Sequence, residues 1–236
     1  MQDEIEALTA VLERHPDDHD ARLRLANKYF SRGQIDEAMA EMQRLVEKDP
    51  SRRAIAYFNL GVGYSRKGMI AEAVVMFKRS LELQPQNSQI HYYLGCAYLS
   101  QGMNEQAEKE FHQALEIDPN HRAVYDSLGF LYMNSGRYAD AARIASQLLD
   151  QYPEDPILLS NLGACYVGMD RIDEGLERLE KAMQFDANDP HIYKHLAIAY
   201  EKKGMKDEAA KAEARYKELA GVQFDVPESA ANLSER

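Results

Sequence analysis

Six tyrosines keep step along this chain. Tyr29, Tyr64, Tyr98, Tyr132, Tyr166 and Tyr200 are separated by 35 residues once and by 34 four times. Three residues before each stands a small residue: Ala26, Gly61, Gly95, Gly129, Gly163 and Ala197. A leucine precedes each of those, from Leu25 and Leu60 through Leu94, Leu128 and Leu162 to Leu196. Four residues after the tyrosine come Gly33, Gly68, Gly102, Gly136, then Asp170, then Gly204. Five further on come Ala38, Ala73, Ala107, Ala141, then Gly175, then Ala209. Pro50, Pro85, Pro119 and Pro153 close the first four units. A period held through five steps decides the fold before any other reading.

Each position has a physical reason. Leucine and tyrosine, four apart, share one helix face. The small residue on that side lets a second helix come close. Glycine suits the left-handed backbone common just past a helix end. The alanine falls early in a second helix and again permits close approach. Proline stops the chain from continuing as one helix. Each unit therefore predicts two antiparallel helices, and neighbouring units supply the core that one unit cannot bury alone.

The pattern resembles the tetratricopeptide repeat, and the stretch "YFNLGVGYSRKGMIAEAVVMFKRSLELQPQN" is similar to its consensus. The resemblance covers roughly residues 19 to 220. It implies an all-α fold, a right-handed solenoid of six helix-turn-helix repeats. The chain is accordingly divided into a capping helix (1–16), six repeats (17–220) and a tail (221–236). The family's aromatic residue near the start of the first helix is kept as Tyr57, Tyr125 and Tyr193, and replaced by Arg22, His91 and Leu159. The fifth unit carries Asp170 and Gly175 in place of Gly and Ala, and Ala187 in place of proline. It is expected to be the loosest unit.

Residues 3–14 read as one amphipathic helix with Ile5, Leu8, Val11 and Leu12 on one side, ended by Pro16. This is the cap that the first repeat needs. At the other end Lys206 to Leu219 favours helix, and Glu213 stands where earlier units have Phe77 and Phe111. That gives the last helix a polar outer face. The tail after Gly221 contains Pro227 and reads as a frayed terminus, or as a segment that Phe224 and Val226 anchor on this protein or on a neighbour.

The first helices line the inner side of such a stack. The stripe opposite their buried face is apolar in its middle: Phe58, Val62, Tyr92, Leu99, Phe130 and Met133, flanked by Asn59, Arg66, Asn134 and Asn161. These side chains either bury against the next first helix or present a strip for a partner. The expected partner-binding set is Phe58, Asn59, Val62, Arg66, Tyr92, Leu99, Phe130, Met133 and Asn161. The expected ligand is a protein segment, either an amphipathic helix or an apolar extended peptide. The clamp that some members of the family use for acidic tails needs Lys two before the leucine and Asn two after it. Only Asn27 and Lys194 fit, in different units, which argues against that ligand.

Charge and composition narrow the partners. A formal net charge of -11 repels phosphate backbones and anionic lipid, so neither nucleic acid nor a membrane is expected as partner. No stretch approaches the about 20 apolar residues that span a bilayer, and the N-terminus lacks the features of a secretory signal. The expected location is cytoplasmic. Cys96 and Cys165 fall two repeats apart, on the order of 20 Å for packed helices. That is too far for a disulfide, so both are expected as reduced thiols.

Chemistry is expected to be absent: no catalytic residues, no cofactor and no metal. His191 and His195 have the spacing of a metal pair, but the repeat supplies no third ligand, and they read as solvated or partner-binding. Gly61-Val62-Gly63 lies inside a helix with no strand before it, so it cannot cradle a phosphate. The chain thus reads as a binding scaffold that helps to assemble a multiprotein complex. The alternatives are a protein that assembles with itself into homo-oligomers or a layer, and the substrate-docking segment of a larger enzyme.

Overall fold

The computed structural model describes the backbone of residues 2–224 and the side chains of residues 4–221. Among the described residues there are thirteen α-helices, one short 3-10 turn and no strand. Helix α1 (Gln2–Arg14) precedes six helix pairs. These are α2 (His19–Ser31) with α3 (Ile35–Lys48), α4 (Arg53–Arg66) with α5 (Ile70–Leu83), and α6 (Ser88–Ser100) with α7 (Asn104–Ile117). Then follow α8 (Arg122–Asn134) with α9 (Tyr138–Leu149), α10 (Pro156–Gly168) with α11 (Ile172–Phe185), and α12 (Pro190–Lys203) with α13 (Lys206–Phe224). The all-α repeat fold is thus the one that the period implies. It divides into two compact units, Met1–Ser127 and Leu128–Arg236, with the division inside α8.

In the first unit, α1 lays Leu8 against Ala21 and Leu25, with Ile5, Leu12 and Tyr29 packed around them. The next layer joins Ala26, Met42, Leu45, Ala56 and Leu60. In the second and third pairs, the glycine of the first helix receives one large side chain of the second. A Cβ built on Gly61 would lie 2.5 Å from the Phe77 ring, and one on Gly95 2.6 Å from the Phe111 ring. Both rings are fully buried, an arrangement worth roughly 2–3 kcal/mol per ring in apolar burial.

Four of the six residues at the family's aromatic position share one task. Each bonds the carbonyl six residues before it, in the loop that leads into its helix. The Tyr125 hydroxyl donates to Pro119 O at 2.9 Å and that of Tyr193 to Ala187 O at 3.0 Å. Arg22 Nη2 donates to Pro16 O at 2.7 Å, and His91 Nε2 contacts Pro85 O at 3.1 Å. The two replacements add an ion pair to a glutamate 19 residues later: Arg22 to Glu41 at 2.6 Å, His91 Nδ1 to Glu110 at 2.7 Å. Arg22 and His91 therefore keep the tether of the tyrosine and neutralise a half-buried or buried carboxylate. Leu159 cannot make the tether; it is buried among Leu179, Ile192 and Leu196 instead.

In the second unit, the fifth repeat overturns the expectation that it is loose. A Cβ on Gly175 would lie 2.9 Å from Gly163 O, and one on Gly163 would lie 2.9 Å from Gly175 O. The backbones of α10 and α11 meet where other repeats place an alanine. Leu176, Leu179 and Ala182 complete that core with Ile192, Leu196 and Ala199 of α12. Asp170 takes the left-handed backbone of the missing glycine, with φ of 64°. At the end, Glu213 is exposed and pairs with Lys217 at 2.7 Å, the polar face expected of a last helix. The proposed tail anchor Val226 lies outside the described residues, as does the side chain of Phe224. Cys96 and Cys165 are free thiols. Among the described residues no helix is long and apolar enough to cross a membrane.

Two outcomes follow from this packing. Gly175→Ala should destabilise the second unit by about 1–3 kcal/mol, because backbone rather than a side-chain tip blocks the methyl, whereas Asp170→Gly should stabilise it by about 0.5–1 kcal/mol by relieving left-handed strain; urea unfolding measures both. His91 faces a carboxylate and a carbonyl, both acceptors, so the imidazolium is favoured and its pKa is raised, chiefly by the Glu110 bond. Its contribution is then complete below the ordinary histidine pKa and is lost as pH rises through the raised one. Thermal melts between pH 6 and pH 8.5 should show a decline that His91→Gln flattens.

Candidate functional site

Each unit carries a groove on the face of its first helices. In the first unit a cleft of about 270 Å³ opens around Phe58, Asn59, Asn27 and Ile55. Its far side is Gln84, Asn87, Gln89 and Ile90. Asn87 is committed to capping α6, accepting from Gln89 N and Ile90 N. The carboxamides of Asn27 and Asn59 remain turned to the cleft. A carboxamide offers both donor and acceptor, which suits a peptide backbone. Ile55, 40% exposed, gives the cleft an apolar edge.

Here the structure sorts the expected residues. Phe58 is half-buried: its ring meets Tyr93 edge-on at 5.2 Å and Phe77 at 5.9 Å. Tyr92 is likewise half-buried, against Tyr93, Phe111 and His121, and burial pushes its hydroxyl up to about 12. Both rings wall the face and at the same time join successive repeats. Arg66 is exposed, yet it donates to Phe30 O at 3.1 Å and lies over the Phe30 ring, which braces α4 against α2. Val62 and Leu99 are half-buried on the same stripe.

In the second unit a groove of about 290 Å³ runs across the ends of three first helices. Ala164, Val167 and Gly168 of α10 form its floor, Met133 and Tyr138 one wall, and His195 and Ile198 the other. Lys194, Lys202 and Asn134 edge it. Gly168 is needed here: a Cβ would lie 2.6 Å from the Tyr138 ring, so only glycine lets that ring lie on α10. Lys202 Nζ donates to Val167 O at 2.9 Å, which ties α12 to α10. One turn before Met133, Phe130 is 59% exposed. Asn161 is half-buried on α10. The expected set thus brings Met133 to this groove. Sequence reasoning passed over Tyr138, Gly168 and Lys202, and read His195 as solvated or partner-binding. A glycine inside a first helix, where other units carry Arg66 and Asn134, was the available signal.

Ser160 Oγ lies 3.0 Å from His195 Nδ1, the contact that a nucleophile and its base would make. Ser160 is only 2% exposed, however, and the His195 pKa is lowered to about 4, by burial first and then by His191 and Lys194. So weak a base draws little proton from a hydroxyl. Burial also pushes the Cys165 thiol up to about 12 and raises that of Cys96. Among the described residues no cluster of three or more His, Cys, Asp or Glu is placed to hold a metal.

Paired helices, left-handed turns and small-to-large packing define a tetratricopeptide-repeat protein. The model of the family described as the cilia and flagella-associated protein 70 C-terminal domain matches residues 3–234, and the chain belongs to that family. No curated protein sequence matches. Among solved structures, YrrB, described as a tetratricopeptide protein with an unusual peptide-binding site, is 25% identical, with a TM-score of 0.67 over 80% of this chain and 96% of its own. MamA from Desulfovibrio magneticus RS-1 is 23% identical, with a TM-score of 0.66 over 73% of this chain and 97% of its own. Cut9, from the APC/C hetero-tetramer Cut9-Hcn1, is 15% identical with a TM-score of 0.65; the match covers 94% of this chain and 44% of that one. The last two likenesses bear on fold alone.

The lowered His195 pKa carries a pH dependence opposite to that of His91. Its contribution is whole above the ordinary histidine pKa and is lost as pH falls toward 4, since the unfolded chain takes the proton first. An imidazole proton titration by NMR should place the His195 midpoint near 4 in the folded chain.

Proposed function

We propose that the chain is a non-enzymatic scaffold that binds a segment of a partner protein along the first-helix faces of its units and so helps a multiprotein complex to assemble. One observation carries this reading. The first-helix faces expose large apolar side chains beside unspent hydrogen-bonding groups, as Ile55 does beside Asn27 and Asn59, and Phe130 near Asn134. A monomer gains nothing from leaving an aromatic ring 59% in water, whereas a binding surface uses such a ring as an anchor. The carboxamides supply bonds to a backbone, which are indifferent to sequence, and the apolar groups supply the selection.

Peptide binding by YrrB, whose fold this chain shares, supports the same reading. An amphipathic helix or an extended segment fits a groove of this breadth, and the expected setting is cytoplasmic. The acidic chain makes nucleic acid and bilayer surfaces poor partners.

Phe58 serves two roles, so its replacement would also loosen the junction between repeats. Phe130→Ser and Asn59→Ala are the cleaner tests. Each should lower capture of the native partner by at least about tenfold while leaving helical content unchanged, as expected of an interface anchor. Capture at the wild-type level by both variants would remove the basis for this assignment.

A further inference from the structure

The groove of the second unit differs in charge from the rest of the molecule. The chain is strongly acidic, yet among the described residues that line this groove are two lysines, one histidine and no carboxylate. Its interior, at Val167, Ile198 and Tyr138, is apolar. Such a site selects a short segment that carries acidic side chains among apolar ones: the apolar groups fill the floor, and the carboxylates meet Lys194 and Lys202 at the edge. We infer that the occupant is the Asp225–Glu228 segment of a second copy of this chain.

The sequence there reads Phe224-Asp225-Val226-Pro227-Glu228, in which two acidic residues are set among apolar ones. Pro227 disfavours helical backbone at Val226, so less conformational freedom is lost on binding in extended form. The donor is a neighbour because the groove lies beyond the segment's own reach. Helix α13 has 19 residues and runs back along the 14 residues of α12. At 1.5 Å per residue it passes the start of α12 near Leu219 and ends about 7 Å beyond. Lys194 and Ile198 lie about 6 and 12 Å in the opposite direction, so the axial distance alone is about 13 to 19 Å. Crossing from the layer of second helices to the groove adds about another 10 Å. Four extended residues cover at most about 14 Å. The segment therefore serves another molecule. This inference rests on reading the first-helix faces as binding surfaces and concerns the second unit's groove alone.

Sedimentation velocity on the full chain over a concentration series tests it by exchange of charge. The wild-type chain should associate reversibly. A tail variant (Asp225→Lys with Glu228→Lys) and a groove variant (Lys194→Glu with Lys202→Glu) should each associate at least about tenfold more weakly. Mixed together they should associate again, because the unaltered tail of the groove variant meets the unaltered groove of the tail variant, and the basic tail meets the acidic groove. Restoration on mixing also shows that both variants are folded. A wild-type chain that stays monomeric throughout overturns the inference, as does association that neither variant weakens or that mixing does not restore. The assay contains no foreign partner, so its failure leaves the wider scaffold reading untouched, whereas loss of the Asn59 and Phe130 effects would not.

Discussion

The second, third and fifth helix pairs depend on one contact: a glycine in the first helix receives one large side chain, or bare backbone, from the second. In the first unit the plugs are Phe77 on Gly61 and Phe111 on Gly95; in the second, Leu179 and the backbone of Gly175 meet Gly163. This fit sets how near the two axes come. It therefore sets which side of the first helix turns away from its partner and becomes the binding face. A methyl group added at the contact would tilt the pair and misplace residues such as Asn59 that lie on that other side. In these repeats fold and site are linked by sterics at one position.

The fold was legible because its determinants are local and repeated. Leu, small residue, Tyr and Gly recur at offsets that a helix pair dictates, so pairing and order could be read without coordinates. The fifth repeat was misread for an instructive reason. Gly175 seen singly is a lost alanine contact, and looseness follows. Seen against Gly163, which lies 12 residues earlier, it is closer approach. Arg22 and His91 were likewise departures from a pattern until Glu41 and Glu110 were found opposite them. Compensation of this kind joins residues on different helices, and a position-by-position comparison does not see it.

The candidate site was legible only as a stripe. Alternation around a helix tells which side chains leave the core, but not how far they extend. Phe58 and Tyr92 fall back onto neighbouring rings, while Phe130 stays in water. The second groove drew on residues from the ends of helices, Tyr138 and Lys202 among them, where the stripe rule has least to say. Its positive edge on an acidic molecule could not be read from net charge, which averages over the face that matters. His195 shows the same limit: the sequence offered a metal-like spacing, and the structure shows a ring bonded to Ser160 and disfavoured as a cation by burial first and then by its neighbours.

The glycine pair of the fifth repeat has a consequence for how this chain can vary. At most small-to-large contacts the larger partner can be trimmed or rotated to admit a change opposite it, so single substitutions lead from one packing to another. At Gly163 and Gly175 each residue is opposed by the carbonyl of the other, which has no rotamer to change. Every route away from this arrangement passes through a state in which two helices must first separate. The fifth repeat is thus a locked step in sequence space, and variation in the second unit should gather around it rather than within it.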